Sequence, residues 1–439
     1  MNKQVKVGFV LSLCAILIGF SSCLEDSCAE TRSFVEFEAL FAHPDDFRID
    51  PSFVSERKLE IPGKIYFYND MIMINERYEG IHIYDNSDPS SPQSIGFLAI
   101  PGNLDVSIRN DIMYADSYVD LLTIDVANLQ HPRLLCREEL VFNNYNWIED
   151  DARGYYVGTK ETNRTVEIDC GNPNFGSGFF WGNESVFVDA DFANTNGGFI
   201  GTTENNRGST PTSTANAITG VGGSFARFSV LDDYLYVLNL TELISYNLGD
   251  PLKPTKTETT TVGWQIETLF PYEDHLFIGG NNGMFIYDRI DPAAPQFVSA
   301  FRHANACDPV FVKDDIAYVT LRNGTACQNF INQLDVLDVS NIRSPQLIES
   351  FDMDHPHGLA VRANNLYICE GSHGLKVFEN DDLNKIDDNR VAHIKDIDAY
   401  DVISLAQDHL LVIGADGLYQ YDSSDPSDLE LLSFLPSTP

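Results

Sequence analysis

The chain has 439 residues, of which 43% are hydrophobic, enough for a large buried core and too many for a disordered chain. It carries 28 basic and 65 acidic residues, a formal net charge of −37 at pH 7. So acidic a surface repels phosphate groups, which excludes nucleic acid and anionic lipid headgroups as partners of the folded part.

The first 22 residues are organised like a secretory signal peptide. Two lysines precede the apolar run 7–20, and two serines come directly before Cys23. The run is shorter than the roughly 20 residues of a membrane span. The stretch FSSC resembles a lipobox, which implies a lipid on Cys23, and CLEDSCAE resembles the export signals of Bacteroidetes surface lipoproteins. We therefore expect an outer-membrane lipoprotein, exposed at the cell surface and held in the membrane through its lipid alone.

Residues 23–48 are expected to form the lipidated tether, followed by a folded domain over 49–439. Inside the tether, the segment 34–41 (FVEFEALF) alternates apolar and polar residues. This alternation is typical of a strand with one buried face. We therefore expect one additional strand there, at an edge of the folded domain.

A short phrase recurs through the domain, and its clearest copy is NERYEGIHIYDNSDPSSP at 75–92. Each copy holds short runs of β-branched and aromatic residues separated by polar turns, without a helical period. The residues that close the central run of each copy are Asp85, Asp125, Asp169, Asn247, Asp288, Asp338, Glu379 and Asp422. Their spacing is 40 to 50 residues, apart from one gap of 78.

A repeat of about 40 to 45 residues is the length of one four-stranded propeller blade. Eight copies predict an all-β fold, a single β-propeller with eight four-stranded blades, and seven or nine blades are the alternatives. The gap of 78 residues is too long for one blade and predicts a loop insertion at about 171–223. This insertion is either a functional loop over one face or a segment without a role.

The turns that follow the repeated phrase are acidic, as in DNSDPSSP and DSSDPSD. Proline presets the backbone of a tight turn, and aspartate accepts hydrogen bonds from the backbone ahead of it. Alternating carboxylates are also calcium ligands, but these turns lack the glycine and the terminal glutamate of a calcium loop. We interpret them as turns and keep calcium as the alternative.

The phrases GIHIYDNSDPSSP, LLTIDVANLQHP and QLDVLDVSNIRSP resemble the LVIVD-repeat propellers of bacterial lipoproteins. The resemblance covers nearly all of the chain after the signal peptide. It implies a β-propeller, and it implies no reaction. The recurring Trp-Asp pair, the sialidase Asp-box and the kelch pattern of other propellers do not occur in the sequence.

Six cysteines remain besides Cys23 and the one in the signal peptide, and an exported protein can oxidise them. Cys307 and Cys327 fall in one predicted blade and are the candidate disulfide. A pair of Cys136 with Cys170 is a weaker alternative. The sequence has no Cys-x-x-Cys pair and no Cys/His cluster with zinc spacing, so we expect neither a bound metal nor another cofactor, calcium aside.

Candidate binding residues follow from propeller geometry, in which the innermost strand of each blade begins beside the loops between second and third strands. The inner-strand candidates are Asn103, Asp105, Trp147, Arg227, Glu267, Asp308, His357 and Asp401. The loop candidates are Glu76, Arg77, Tyr78, Arg322 and His373. This mixture of acids, arginines, histidines and aromatics is suited to a polar ligand.

We expect the propeller to bind a polar small molecule, a glycan or a surface protein, without chemistry of its own. The chain would act as a monomer or within a surface complex. The alternative is a hydrolase or lyase that acts on extracellular carbohydrate or lactone, with His357 as base, Asp308 or Glu267 as its partner, and Arg227 stabilising negative charge. Linear motifs of hydrolases and phosphate-binding enzymes are missing, but a propeller can assemble a site from several blades.

Overall fold

The computed structural model describes residues 29–55, 57–142, 149–150, 152–169, 219–263, 265–302, 309–322, 331–406 and 408–438. They fall into two compact units, one comprising 1–41 with 156–205 and the other 42–155 with 206–439. The larger unit is a single all-β propeller with four-stranded antiparallel blades, as predicted. It has seven blades, so the preferred count of eight is wrong and the alternative of seven is right.

The strands of each blade follow one another in the chain from the central channel outward. For blades 1 to 7 in turn they are Pro62–Tyr68, Met71–Glu76, Gly80–Asp85 and Gln93–Ala99; Val106–Arg109, Ile112–Ser117, Asp120–Asp125 and Arg133–Glu138; Phe228–Leu231, Tyr234–Leu238, Glu242–Asn247 and Thr255–Thr261; Ile266–Tyr272, His275–Gly280, Gly283–Asp288 and Gln296–Phe301; Val310–Lys313, Ile316–Leu321, Gln333–Asp338 and Gln346–Asp352; Leu359–Arg362, Asn365–Cys369, Leu375–Glu379 and Arg390–Ile394; Ala399–Leu405, His409–Gly414, Gly417–Asp422 and Glu430–Pro436.

Two short strands extend blade 1 to six strands. Ser52–Val54 pairs with its outermost strand, and Val221–Gly222 pairs with its innermost strand. The described helices are the single turn Pro44–Phe47 and the 3-10 turn Asp387–Asn389. Within the described residues, no helix has the length and apolar character needed to cross a bilayer.

The smaller unit explains why eight blades were predicted. Its described residues, 29–41 and 156–169, lie in two neighbouring strands, Ala29–Ala42 and Gly154–Asp169. The short strand Glu149–Asp150, a part of the larger unit, pairs with Gly154 and Tyr155 at the start of the second of these strands. Asp169 therefore ends a 16-residue strand outside the propeller. Alternation marks any strand with two different faces, so the run TVEID resembled a blade strand although it belongs to no blade. Trp147 was selected by its position relative to this run, and therefore belongs to no described blade. Trp147 itself lies outside the described residues. The predicted additional strand 34–41 lies within Ala29–Ala42.

The core of the propeller lies between blades. Seven clusters of buried apolar side chains occupy the seven boundaries between neighbouring blades, as expected when one blade cannot bury both of its faces alone. The cluster between blades 7 and 1 includes Ile65, Ile74, Ile403 and Ile413. The ring is thus closed by packing of the last blade on the first.

In the described residues, no strand of blade 7 pairs with a strand of blade 1. Individual hydrogen bonds join the two blades along this boundary, in addition to the apolar packing. The Gln420 amide donates to Asn86 Oδ1 at 2.8 Å, and Ser433 Oγ donates to the Pro89 carbonyl at 2.7 Å. At the end of the chain, the backbone N–H of Thr438 donates to the Leu59 carbonyl at 2.7 Å. We call this boundary the seam.

The acidic turns have the structure that the turn interpretation predicts. Asp85 Oδ1 accepts hydrogen bonds from the Ser87 backbone N–H at 2.9 Å and from its hydroxyl at 2.6 Å. These bonds lower the pKa of Asp85 below its ordinary value. The same Asx turns follow Asp125, Asn247, Asp338 and Asp422. The repeated phrase therefore ends in a carboxylate or amide that orders the two residues after it.

The segment 219–227, which we call the strap, crosses the innermost strands of several blades. Thr219 and Arg109 form an isolated bridge, and Val221–Gly222 pairs with blade 1. The Leu359 backbone N–H of blade 6 donates to Ser224 Oγ at 3.1 Å. The strap includes 219–223, the last residues of the predicted insertion.

Candidate ligand-binding face

Charged residues begin the innermost strands on one face of the propeller. We call it the top face and define it by these strand starts and the loops between second and third strands. Lys64, Asp105, Arg227 and Asp401 each stand four residues before the end of their inner strand. Asp105, Arg227 and Asp401 were predicted for this position, whereas Lys64 was missed. Lys64 could have been predicted from the sequence, because it stands as many residues before the first hairpin turn of blade 1 as Asp105 does in blade 2.

Lys64, Asp105 and Arg227 form one ion-paired network with Asp116. Lys64 Nζ donates to Asp105 Oδ2 at 2.6 Å, and the Arg227 backbone N–H donates to the same oxygen at 2.7 Å. Arg227 Nη2 donates to Asp116 Oδ2 at 2.5 Å. Burial lowers the pKa of Lys64, although Asp105 opposes this shift. The charges of blades 1, 2 and 3 thus largely neutralise one another.

Asn103 is a structural residue of this network. Its side chain is fully buried, and its amide nitrogen donates to Asp116 Oδ1 at 2.9 Å and to the Asp105 carbonyl at 3.0 Å. In turn, the Asn75 amide donates to Asn103 Oδ1 at 2.9 Å. Asn103 therefore links the loops of blades 1 and 2 rather than facing a ligand.

His357 is enclosed by two neighbours on the top face. Arg322 Nη1 lies 2.8 Å from His357 Nδ1, and His355 Nδ1 lies 3.1 Å from His357 Nε2. Because a guanidinium only donates, His357 Nδ1 must be the acceptor and Nε2 must carry the proton. Burial lowers the pKa of His357 to about 3, with smaller contributions from Arg322 and His355. His357 is therefore neutral at neutral pH.

Arg322 and Glu267 bring a second pair of opposite charges to the top face, from blades 5 and 4. Burial lowers the pKa of Arg322, and the negative charge of Glu267 opposes that shift. Burial likewise raises the pKa of Glu267, against the positive charges of Arg322 and Lys64. The two side chains thus influence each other electrostatically at the mouth of the channel.

Asp401 holds the strap instead of facing solvent. Its side chain is 2% exposed, and its Oδ1 accepts from Ser224 Oγ at 2.7 Å and from the Val402 backbone N–H at 2.9 Å. Gly223 passes so close that a Cβ atom there would overlap the carboxylate. Burial raises the pKa of Asp401 to about 6, and these hydrogen bonds oppose the shift.

The loop candidates differ in accessibility. Glu76 is buried and accepts hydrogen bonds from the backbone N–H of Glu60 at 2.9 Å and from His82 at 3.1 Å, so its role is structural. Arg77 and His373 are exposed. Tyr78 is partly buried, has a φ of 68°, and stacks on Tyr118 with ring centroids 6.0 Å apart.

Several predictions concern residues outside the described ranges, namely Cys23, Trp147, Cys170, Cys307, Asp308 and Cys327. Within the described ranges, Cys136 and Cys369 are free thiols. In the same part of the chain, no group of three or more His, Cys, Asp or Glu side chains could hold a metal ion.

Comparisons with known proteins support the fold and the repeat. A family model described as LVIVD repeat matches residues 305–353, which include the described strands of blade 5. Comparison with curated proteins gives no match.

Solved structures with TM-scores near 0.5 include a designed protein and two natural ones. The computationally designed Ika8 protein has a TM-score of 0.51 and 8% identity, with 88% of this chain and 91% of that chain covered. A protein from Lactobacillus plantarum has a TM-score of 0.51 and 12% identity, with 86% and 97% covered. Sqt1 from Saccharomyces cerevisiae has a TM-score of 0.50 and 7% identity, with 92% and 89% covered. At such identities the likeness concerns the fold alone.

Proposed function

We propose that this protein is a cell-surface lipoprotein whose propeller binds a polar ligand or a partner protein on its top face, without chemistry of its own. The observation that carries the proposal is the enclosure of His357. A general base needs a lone pair that can reach the substrate, and the lone pair of His357 accepts from Arg322. The top face therefore offers polar recognition groups, while its best-placed base is occupied.

The alternative, a hydrolase or lyase, finds less support in the same contacts. With a pKa lowered to about 3, His357 would be a weak base at neutral pH. Arg227, which the alternative assigns to stabilising negative charge, is paired with Asp116 at 2.5 Å. A substrate would have to break both arrangements before reaction. Binding requires neither change, and a rigid ring with variable loops is a suitable scaffold for it.

We expect the purified protein to be stabilised by one class of polar ligand. A thermal-shift panel of acidic and neutral sugars, short peptides, nucleotides and divalent ions tests this. A ligand at about a hundred times its Kd should add roughly 2.7 kcal/mol to the free energy of unfolding. Turnover of chromogenic glycosides and lactones by the wild type, lost in His357→Ala, would contradict the proposal. Absence of any ligand across the panel would contradict it for small molecules and direct the search to a protein partner, through cross-linking on intact cells.

The lipid anchor has a separate test. The full chain, produced in a bacterial host with radiolabelled palmitate, is expected to carry label and to sediment with membranes. Cys23→Ala should lose both properties, because the acyl chains attach to that cysteine and supply the membrane affinity. Cys136→Ala is the matched control, since Cys136 is a free thiol of blade 2. Equal membrane association of the Cys23 variant and the wild type would refute the anchor.

A further inference from the structure

We propose that the top face between blades 4, 5 and 6 binds a carboxylate-bearing sugar, a uronic acid, through Arg322. This inference rests on the binding function proposed above and names its ligand class. It depends on the contacts of Arg322, on the neutral histidine beside it and on two asparagine side chains of the neighbouring blade.

Arg322 has no carboxylate in direct contact among the described residues, although the negative charge of Glu267 acts on it from a greater distance. Its Nη1 contacts a neutral histidine, and its Nε is buried without a hydrogen-bond partner. Among the described residues, no carboxylate oxygen lies within ion-pair distance of this guanidinium, in a chain with 65 acidic residues. Arg227, by contrast, contacts a carboxylate at 2.5 Å. The planar fork of Arg322 therefore keeps donors available for a carboxylate from outside.

The surroundings of Arg322 favour an added negative charge. Burial destabilises its charged form by more than the nearby negative charge of Glu267 stabilises it, as the lowered pKa shows, yet a guanidinium stays protonated near neutral pH. A ligand carboxylate would offset that cost. His357 beside it is neutral, so it holds the guanidinium in place by accepting a hydrogen bond and does not add a second positive charge.

Acceptors for hydroxyl groups stand at the same position of the neighbouring blade. Asn281 and Asn282 directly follow the second strand of blade 4, as Arg322 directly follows the second strand of blade 5. The Oδ1 atoms of both asparagines are buried and have no hydrogen-bond partner. The Asn281 amide nitrogen donates to Gln265, two residues before Glu267, which connects this loop to the mouth of the channel.

These groups together select the ligand class. Two unpartnered amide oxygens need donors, and the guanidinium needs an anionic acceptor. Sulfate supplies acceptors without donors, and inorganic phosphate supplies at most two hydroxyl groups on the same centre as its charge, whereas a uronic acid supplies a carboxylate and several separate hydroxyl groups. The net charge of −37 repels a long polyanion, so we expect a single uronate residue or the end of a chain to bind.

The test is calorimetric titration of the purified protein with D-glucuronate and D-galacturonate. D-glucose and D-galactose are the neutral counterparts, and N-acetylated triglycine offers a carboxylate without sugar hydroxyls. We expect one of the uronates to bind, its neutral counterpart to bind at least about tenfold more weakly, and Arg322→Ala to weaken uronate binding by about 10- to 100-fold. Arg322→Lys should lie between the wild type and the alanine variant, because lysine retains the charge without the fork.

Arg343→Ala is the matched control, since Arg343 is an exposed arginine of the same blade in the turn between its third and fourth strands. It should bind uronate like the wild type, and unchanged melting temperatures of both alanine variants would exclude misfolding. Equal binding of uronate and neutral sugar that survives Arg322→Ala would overturn the inference and leave the proposed binding function standing. Arg322-dependent binding of the peptide alone would overturn the sugar assignment. If neither these sugars and peptide nor any ligand of the broader panel bound, the result would contradict both the uronate inference and the proposed binding of a small polar ligand.

Discussion

Replacing Glu370 with alanine is expected to lower the free energy of unfolding by about 3 kcal/mol. The Glu370 carboxylate is fully buried at the end of the second strand of blade 6. It accepts hydrogen bonds from the backbone N–H groups of Asp354 at 2.8 Å and His355 at 3.1 Å, and from Lys376 Nζ at 2.9 Å. Removing it leaves two backbone donors unsatisfied, and Lys376 keeps only its contact with half-exposed Asp354.

Urea unfolding of the variant and the wild type would measure this loss. Glu379→Ala, an exposed glutamate of the same blade, is the control and should change stability by less than about 0.5 kcal/mol. Replacing the buried pair together, as Glu370→Leu with Lys376→Met, should recover part of the loss, since a hydrophobic pair needs no compensating charge. If Glu370→Ala were as stable as Glu379→Ala, the contacts of Glu370 with Lys376 and the backbone would contribute nothing to stability.

Replacing Asp401 with alanine is the second large effect that we expect, a loss of about 2 to 3 kcal/mol. The carboxylate accepts from Ser224 N–H at 3.2 Å, from Ser224 Oγ at 2.7 Å and from Val402 N–H at 2.9 Å. Ser224 of the strap and Val402 of blade 7 are both buried. Thermal unfolding of Asp401→Ala beside Asp428→Ala, an exposed aspartate of the same blade, measures the difference. Equal melting temperatures would mean that the strap is held by other contacts.

Asp401 also has a signature in the pH dependence of stability. Its pKa in the folded protein is raised from 3.8 to about 6, so the folded state keeps the proton to higher pH than the unfolded chain does. Its contribution to stability is therefore greatest below about pH 4 and falls as the pH rises through 6. The stability of the wild type relative to Asp401→Asn should fall between these values and level off above pH 7. A flat difference across that range would contradict the assignment.

The repeated phrase was enough to predict the propeller and its turns, because each blade is built locally. Asp85 and Asp338 order residues two positions ahead of them, and such short-range contacts leave their mark in consecutive letters. The number of blades was harder to predict. The run ending at Asp169 alternates like a blade strand, and alternation reports two different strand faces without saying which sheet they belong to.

The site was predicted as a set of positions and not as a set of contacts. His357 and Arg322 were both candidates, but their direct hydrogen bond joins residues 35 apart in different blades. Ser224 was not a candidate, since its contact with Asp401 spans 177 residues and no local pattern announces it. Side chains from neighbouring blades meet only when the ring closes, so propeller geometry predicts which face they share and not which atoms touch.

The seam between blades 7 and 1 has a consequence for how the chain folds. Its bonds join the most distant parts of the sequence: Gln420 and Asn86 are 334 residues apart, and Ser433 and Pro89 are 344 apart. Closing so long a loop costs entropy, and non-local contacts of this kind slow folding. Blade 1 must therefore keep one apolar face without its partner until the last 40 or so residues have folded. We therefore expect packing of the final repeat on the first to be the step that completes the native ring.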